Sequence, residues 1–149
     1  SMYDNFINES IIKRAIEKKQ VEINIHNIRD YTVYKNNQVD DYPFGGGGGM
    51  VLMCDPIFRA IDALKKENTL VVMMTPSGKV YKQSIAYNLS KHKHIIILCG
   101  HYEGFDERIK TMYKNYLLYQ ILTYKPNMQS YPILFLLLKN TYLVCKFHL

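Results

Sequence analysis

Apolar positions near the start of the chain recur first with a helical period and then with that of a strand. Ile7, Ile11, Ile12, Ala15 and Ile16 share one helical face, with Lys13, Arg14, Lys18 and Lys19 on the others, which predicts an amphipathic helix over 7–19. VEINIH, from Val21 to His26, alternates strictly and predicts a half-buried strand. Asp55 followed by Pro56 reads as an N-cap with proline at the first helical position, and Ile57, Phe58, Ile61 and Leu64 carry an apolar stripe to about Leu64. LVVMM (70–74) and IIILC (95–99) are continuous apolar runs on either side of a helical segment around Gln83 to Lys91. That is the pattern of a βαβ unit in a parallel sheet buried on both faces. The expected fold class is α/β, a parallel sheet with flanking helices.

Each apolar run ends in a polar loop, TPSGK after the first and GHYEGFDER after the second. Ligands of open α/β sheets sit beyond the carboxyl ends of the strands. These loops, with the five glycines of DDYPFGGGGGM, are therefore the candidate site segments. After Arg108 the pattern changes: the remaining residues contain no Gly, Asp or Glu, and hold six of the thirteen tyrosines. YLLYQIL and YPILFLLL read equally as strand or buried helix, so no fold is assigned beyond that point.

With 149 residues the chain is long enough for one domain with a core, and its apolar runs are too short to cross a bilayer. Ser1 to Ser10 lack the basic start and apolar stretch of a secretory signal, so the cytoplasm is the expected compartment. Cys54, Cys99 and Cys145 are odd in number and far apart, which points to buried reduced thiols and not to a disulfide framework or zinc site. A net charge of +6 suits a nucleic-acid partner without requiring one.

The glycine run fits a phosphate cradle or a flexible loop, but lacks the Lys-Ser/Thr ending of a P-loop and the spacing of a dinucleotide fingerprint. In GHYEGFDER, the carboxylates Glu103, Asp106 and Glu107 with Arg108 follow a buried strand. They suit a functional site, or a helix start with a surface ion pair. His92 and His94 have no third ligand in view and are expected on a solvated face; no metal site is expected.

NIHNIRDYT (24–32), QVDDYPFGGGGGMV (38–51), PIFRAIDAL (56–64), TPSGK (75–79) and ILCGHYEGFDERI (97–109) together make the chain resemble the bacterial tRNA guanine-N1 methyltransferase family (TrmD). The resemblance runs from the start to about Ile109. It implies a SPOUT-type α/β fold with a deep trefoil knot, and a homodimer whose sites draw on both chains. The reaction implied is methylation of the tRNA guanosine 3′ of the anticodon with S-adenosylmethionine. By position, Thr75, Pro76, Ser77 and Gly78 match the first cofactor loop, and Gly100, Tyr102 and Glu103 the second. Gly45, Gly46, Gly47, Gly48 and Gly49 match the segment beside the target nucleotide, without the proline usual there. Arg108 is taken with them as a nucleic-acid contact, and Glu103 as a catalytic candidate that contacts the target base.

Relative to that family, a first strand and a Leu-Phe-Pro turn are missing ahead of Met2-Tyr3. Nothing in 110–149 matches the family's knot-closing loop, linker or C-terminal domain with its catalytic aspartate and arginine. The expectation is an incomplete methyltransferase domain over 1–109 followed by a divergent or frame-shifted segment over 110–149. Two other functions stay open: a catalytically inactive RNA-binding remnant, and a small nucleotide-binding α/β protein.

Overall fold

The computed structural model describes residues 8, 10–43, 45–100, 105–112, 117–120 and 143–148. Helix α1 (Ser10–Glu17) leads into β1 (Glu22–Asn27), close to the helix and strand that the two periods predict. Short 3-10 turns at Ile28–Tyr31 and Lys35–Asn37 precede a small antiparallel hairpin, β2 (Asp40–Asp41) and β3 (Val51–Leu52). The rest follows as α2 (Cys54–Leu64), β4 (Leu70–Val80), α3 (Gln83–Leu89), β5 (His94–Cys99), α4 (Glu107–Met112), β6 (Leu117–Gln120) and β7 (Leu143–His148).

The main sheet has the order β1-β7-β5-β4-β6. The βαβ unit is present: β4 and β5 are parallel neighbours, with Leu70 opposite Ile95 and Met74 opposite Cys99. β6 is parallel to β4 on its other side, but β7 runs antiparallel to both β5 and β1. The expected parallel sheet is thus present in β4, β5 and β6, and β7 adds one reversed strand that makes the sheet as a whole mixed. That strand and β6 both come from the segment for which the pattern assigned no fold.

Both faces of β4 and β5 are buried, as continuous apolar runs require. Val71, Met73, Ile96 and Leu98 pack with Ile57, Ala60 and Ile61 of α2, and with Ile28, Val39, Leu52, Phe105 and Ile109. α2 starts earlier than Asp55-Pro56 suggests: Met53 is its N-cap, and Asp55 lies in the first turn. Its carboxylate accepts a 2.8 Å bond from Arg59 Nε and so caps no backbone N–H. Pro56 remains in the first turn, where its missing N–H costs nothing. His94 is also corrected, since it is buried instead of solvated. It opens β5, and its Nδ1 lies 2.6 Å from Thr69 Oγ1.

β5 ends against Phe105. A Cβ placed on Gly100 would lie 2.8 Å from the Phe105 ring, closer than carbon atoms tolerate. Gly100→Ala is accordingly expected to cost about 1–3 kcal/mol, as overpacking does, and to lower the urea midpoint. Phe105→Leu in the same background should recover part of that loss. An unchanged midpoint in Gly100→Ala would remove this packing reason for the glycine.

Candidate functional site

The segment from Asn27 to Gln38 is braced by its own polar groups. Asn27 Oδ1 accepts from the Arg29 N–H at 3.0 Å, and the Arg29 guanidinium donates to the Asn37 carbonyl at 2.8 Å. Thr32 Oγ1 donates to the Gln38 carbonyl at 2.7 Å and accepts from the Tyr34 N–H at 3.2 Å. Asn36 and Asn37 take positive φ, which asparagine tolerates better than most residues. Tyr34 is thus held on a fixed backbone.

The glycine run is the loop of the β2–β3 hairpin. Gly45, Gly46, Gly47 and Gly49 have φ between 79° and 132°, and Gly46 N–H closes a turn on the Pro43 carbonyl at 3.3 Å. No atom lies within 4 Å of a Cβ added to Gly45, Gly46, Gly47 or Gly48. The sequence demands glycine here by backbone conformation, while the space in front of the loop is open. Below it, Met53 N–H bonds to the Val39 carbonyl and Asp106 N–H to the Leu52 carbonyl, at 2.9 and 3.1 Å. A parallel bridge of Leu52 with Phe105 completes the junction.

This junction creates a cleft of about 170 Å³. Asp41, Tyr42, Val51 and Met53 line one side, and Asp106 and Arg108 the other. Tyr34, Cys54 and Asp55 complete it. Asp106 caps α4 by accepting from the Arg108 N–H at 2.9 Å, and it takes the Arg108 guanidinium at 3.0, 3.1 and 2.7 Å. These bonds hold its carboxyl down at about 2, against the opposing effect of partial burial. Burial first, then the charge of Asp106, pushes the half-buried Cys54 thiol up to about 11. Cys99 is buried and goes to about 12 by burial alone. Neither thiol is a nucleophile at neutral pH.

The strand ends form the second half of the region. Register with β5 stops at Met74 opposite Cys99, and pairing with β6 jumps from Met74 to Lys79, both opposite Tyr119. Thr75 to Gly78 occupy this register shift instead of forming a loop after the strand. Pairing of β4 with β5 ends at Met74 and Cys99, so Thr75 and Gly100 are the next residues on the two parallel strands, with the other expected cofactor residues Pro76, Ser77 and Gly78 further along β4. Tyr102 and Glu103 lie outside the described residues, so the expectation for them is not placed. Arg108 is brought beside the glycine hairpin through the Asp106 junction. Tyr34, Tyr42 and Cys54 went unnoticed in the sequence as site residues. Their only signal was closeness to the glycine run, and for Tyr34 even that was weak.

The chain matches the family model described as tRNA (Guanine-1)-methyltransferase TrmD over residues 1–120. It is similar to tRNA (guanine-N(1)-)-methyltransferase of Staphylococcus carnosus (strain TM300), 53% identical over 110 residues, covering 73% of this chain and 45% of that protein. The protein of the same name from Staphylococcus haemolyticus (strain JCSC1435) is 51% identical over 111 residues, covering 74% and 45%. That from Staphylococcus aureus (strain Newman) has the same identity and coverage. The chain thus spans about half the length of the curated relatives it matches.

Two measurements probe the cleft. Asp106→Asn should lower the Cys54 pKa, because it removes an anion while Arg108 stays, and should speed iodoacetamide labelling of Cys54 several-fold at pH 7.5; an unchanged rate would separate the two groups. Asp106 also contributes an acid limb to stability. Its folded pKa lies below the ordinary 3.8, so its stabilisation is complete above about pH 4 and is lost as pH falls toward 2. Allowing for the exposed guanidinium, the amount is about 1–2 kcal/mol. In Asp106→Asn, denaturation curves should lose that part of the slope.

Proposed function

The chain belongs to the tRNA (guanine-1)-methyltransferase family, and from that premise we propose that it carries the cofactor and target-nucleotide faces of an S-adenosylmethionine-dependent tRNA guanine-N1 methyltransferase. The substrate is the guanosine 3′ of the anticodon. The same reading includes a SPOUT-type knotted fold, a homodimer, a cytoplasmic location and a domain boundary near Ile109. Among the described residues, no helix is long and apolar enough to cross a membrane.

Two observations support this reading. Thr75 to Gly78 fall in a register shift of β4 just past its pairing with β5, and the glycine hairpin is tied to Asp106 by the bond from its N–H to the Leu52 carbonyl. Backbone at such an irregularity near a strand's carboxyl end suits the polar edges of an adenosine, as S-adenosylmethionine has. Thr75, Pro76, Ser77, Gly78 and Gly100, with Tyr102 and Glu103, would hold it. When bound, S-adenosylmethionine supplies an electrophilic methyl carbon on a sulfonium.

The chain's own residues would act chiefly by positioning. Gly45 to Gly49 leave room for a bulky nucleotide in front of their backbone, and Arg108 offers a cation beside it. Glu103 contacts the target base. The guanine N1 proton must leave as the methyl arrives, which calls for a general base. Asp106 is unsuited, since its carboxyl is held at about 2 by Arg108. No general base is assigned in this chain.

Transfer of radiolabelled methyl from S-adenosylmethionine to unmodified tRNA, with N1-methylguanosine appearing 3′ of the anticodon, is the expected result. Salt-sensitive tRNA binding without transfer would leave an RNA-binding remnant. Greater thermal stabilisation by ATP than by S-adenosylmethionine would instead favour a nucleotide-binding protein. Gly47→Val should lower the melting temperature through strain at its φ of +132°, and should weaken tRNA binding about tenfold or more, beyond what that loss of stability explains, because its Cβ enters the open space in front of the loop. Unchanged binding would remove the hairpin from the site.

A further inference from the structure

We propose that Tyr34 and Tyr42 form a stacking seat at the mouth of the cleft for one base of the RNA strand adjoining the target nucleotide. The inference rests on the reading of the glycine hairpin as the target-nucleotide face, and adds residues that reading does not assign.

Both tyrosines line the cleft, and both are largely exposed, at 41% and 75%. Tyr34 is fixed through its N–H on Thr32 Oγ1, and the Tyr42 N–H bonds to Asp41 Oδ1 at 2.8 Å. The rings are therefore presented from set positions, and little backbone order remains to be lost on binding. Neither ring is paired with another aromatic side chain among the described residues.

The charges decide which part of an RNA enters. Asp55 is bound to Arg59 and Asp106 to Arg108, so two of the three cleft carboxylates have a cation. Asp41 has none among the described ion pairs, and its carboxylate would repel a phosphate. Arg59, bonded to Asp55, and Arg108, in the lining itself, are exposed cations beside the cleft, each paired with its carboxylate. A base therefore fits the cleft and the backbone phosphates fit its rim. Two tyrosine faces provide the stacking surface, which is indifferent to base identity.

The test uses the full chain, unmodified tRNA, and a single-stranded RNA trinucleotide carrying 2-aminopurine beside guanosine, on either side in turn. Tyr34→Ala and Tyr42→Ala should each weaken tRNA binding about tenfold, since stacking of one base is of that size. Tyr→Phe at either position should bind as the parent does. The salt dependence of binding should keep its slope, because no phosphate contact is lost. The 2-aminopurine fluorescence should be quenched by the parent and by the Phe variants but not by the double Ala variant. Quenching without tRNA binding would keep the seat and overturn the proposed substrate. Binding of tRNA with no quenching on either side, or Phe variants as weak as Ala, would overturn the seat and leave the substrate standing. Absence of both would overturn both.

Discussion

One backbone hydrogen bond, from the Asp106 N–H to the Leu52 carbonyl, joins the two halves of the candidate site. On one side of it stands the glycine hairpin, and on the other the segment that leaves β5. Phe105, bridged to Leu52, inserts its ring into the core and presses on Gly100. The geometry of the cleft therefore depends on a buried apolar contact and not on its polar lining. Because interiors are close-packed, a shift of the ring would be felt at Gly100 and at Leu52 together. The end of β5 at Gly100 and the glycine hairpin are coupled through this side chain.

Local pattern revealed those parts of the fold whose burial repeats along the chain. The helical stripe of Ile57 and Ile61, and the doubly buried runs of β4 and β5, were legible because their periods follow directly from which face meets the core. β7 was not legible, since its place between β1 and β5 is a pairing across most of the sequence and leaves no local period. His94 was misread for a related reason. Its neighbours Lys91 and Lys93 are exposed, and the partner its ring meets on Thr69 is distant in sequence.

The site was legible to a similar extent and with similar gaps. The glycine run announced itself, because positive φ at four of its positions restricts the residue type. Thr75 to Gly78 were visible as a polar stretch after an apolar run, but as a loop and not as a register shift within β4. Tyr34 is different: its place in the cleft depends on Arg29 reaching the Asn37 carbonyl and Thr32 reaching the Gln38 carbonyl. Side-chain to backbone bonds of that kind leave only a weak mark in sequence. NIRDYT thus serves the site indirectly, by holding the loop that carries Tyr34.

β1 touches the sheet only through β7 among the described residues, which at first makes the loop after β1 dependent on the C-terminal strand. The core argues otherwise. Ile28, immediately after β1, is fully buried in the cluster that contains Ile57, Ile61 and Leu52, and Val39 closes the same stretch from its other end. Burying two such side chains is worth about 3–6 kcal/mol against leaving them in water, of the same order as the whole six-residue ladder with β7 at roughly 1 kcal/mol net per bond. The stretch from Ile28 to Val39 is therefore pinned at both ends to α2 and the hairpin. The cleft, built from that stretch, the hairpin and Asp106 to Arg108, is accordingly anchored in the core through Ile28, Val39 and Leu52 and not through the pairing with β7 alone.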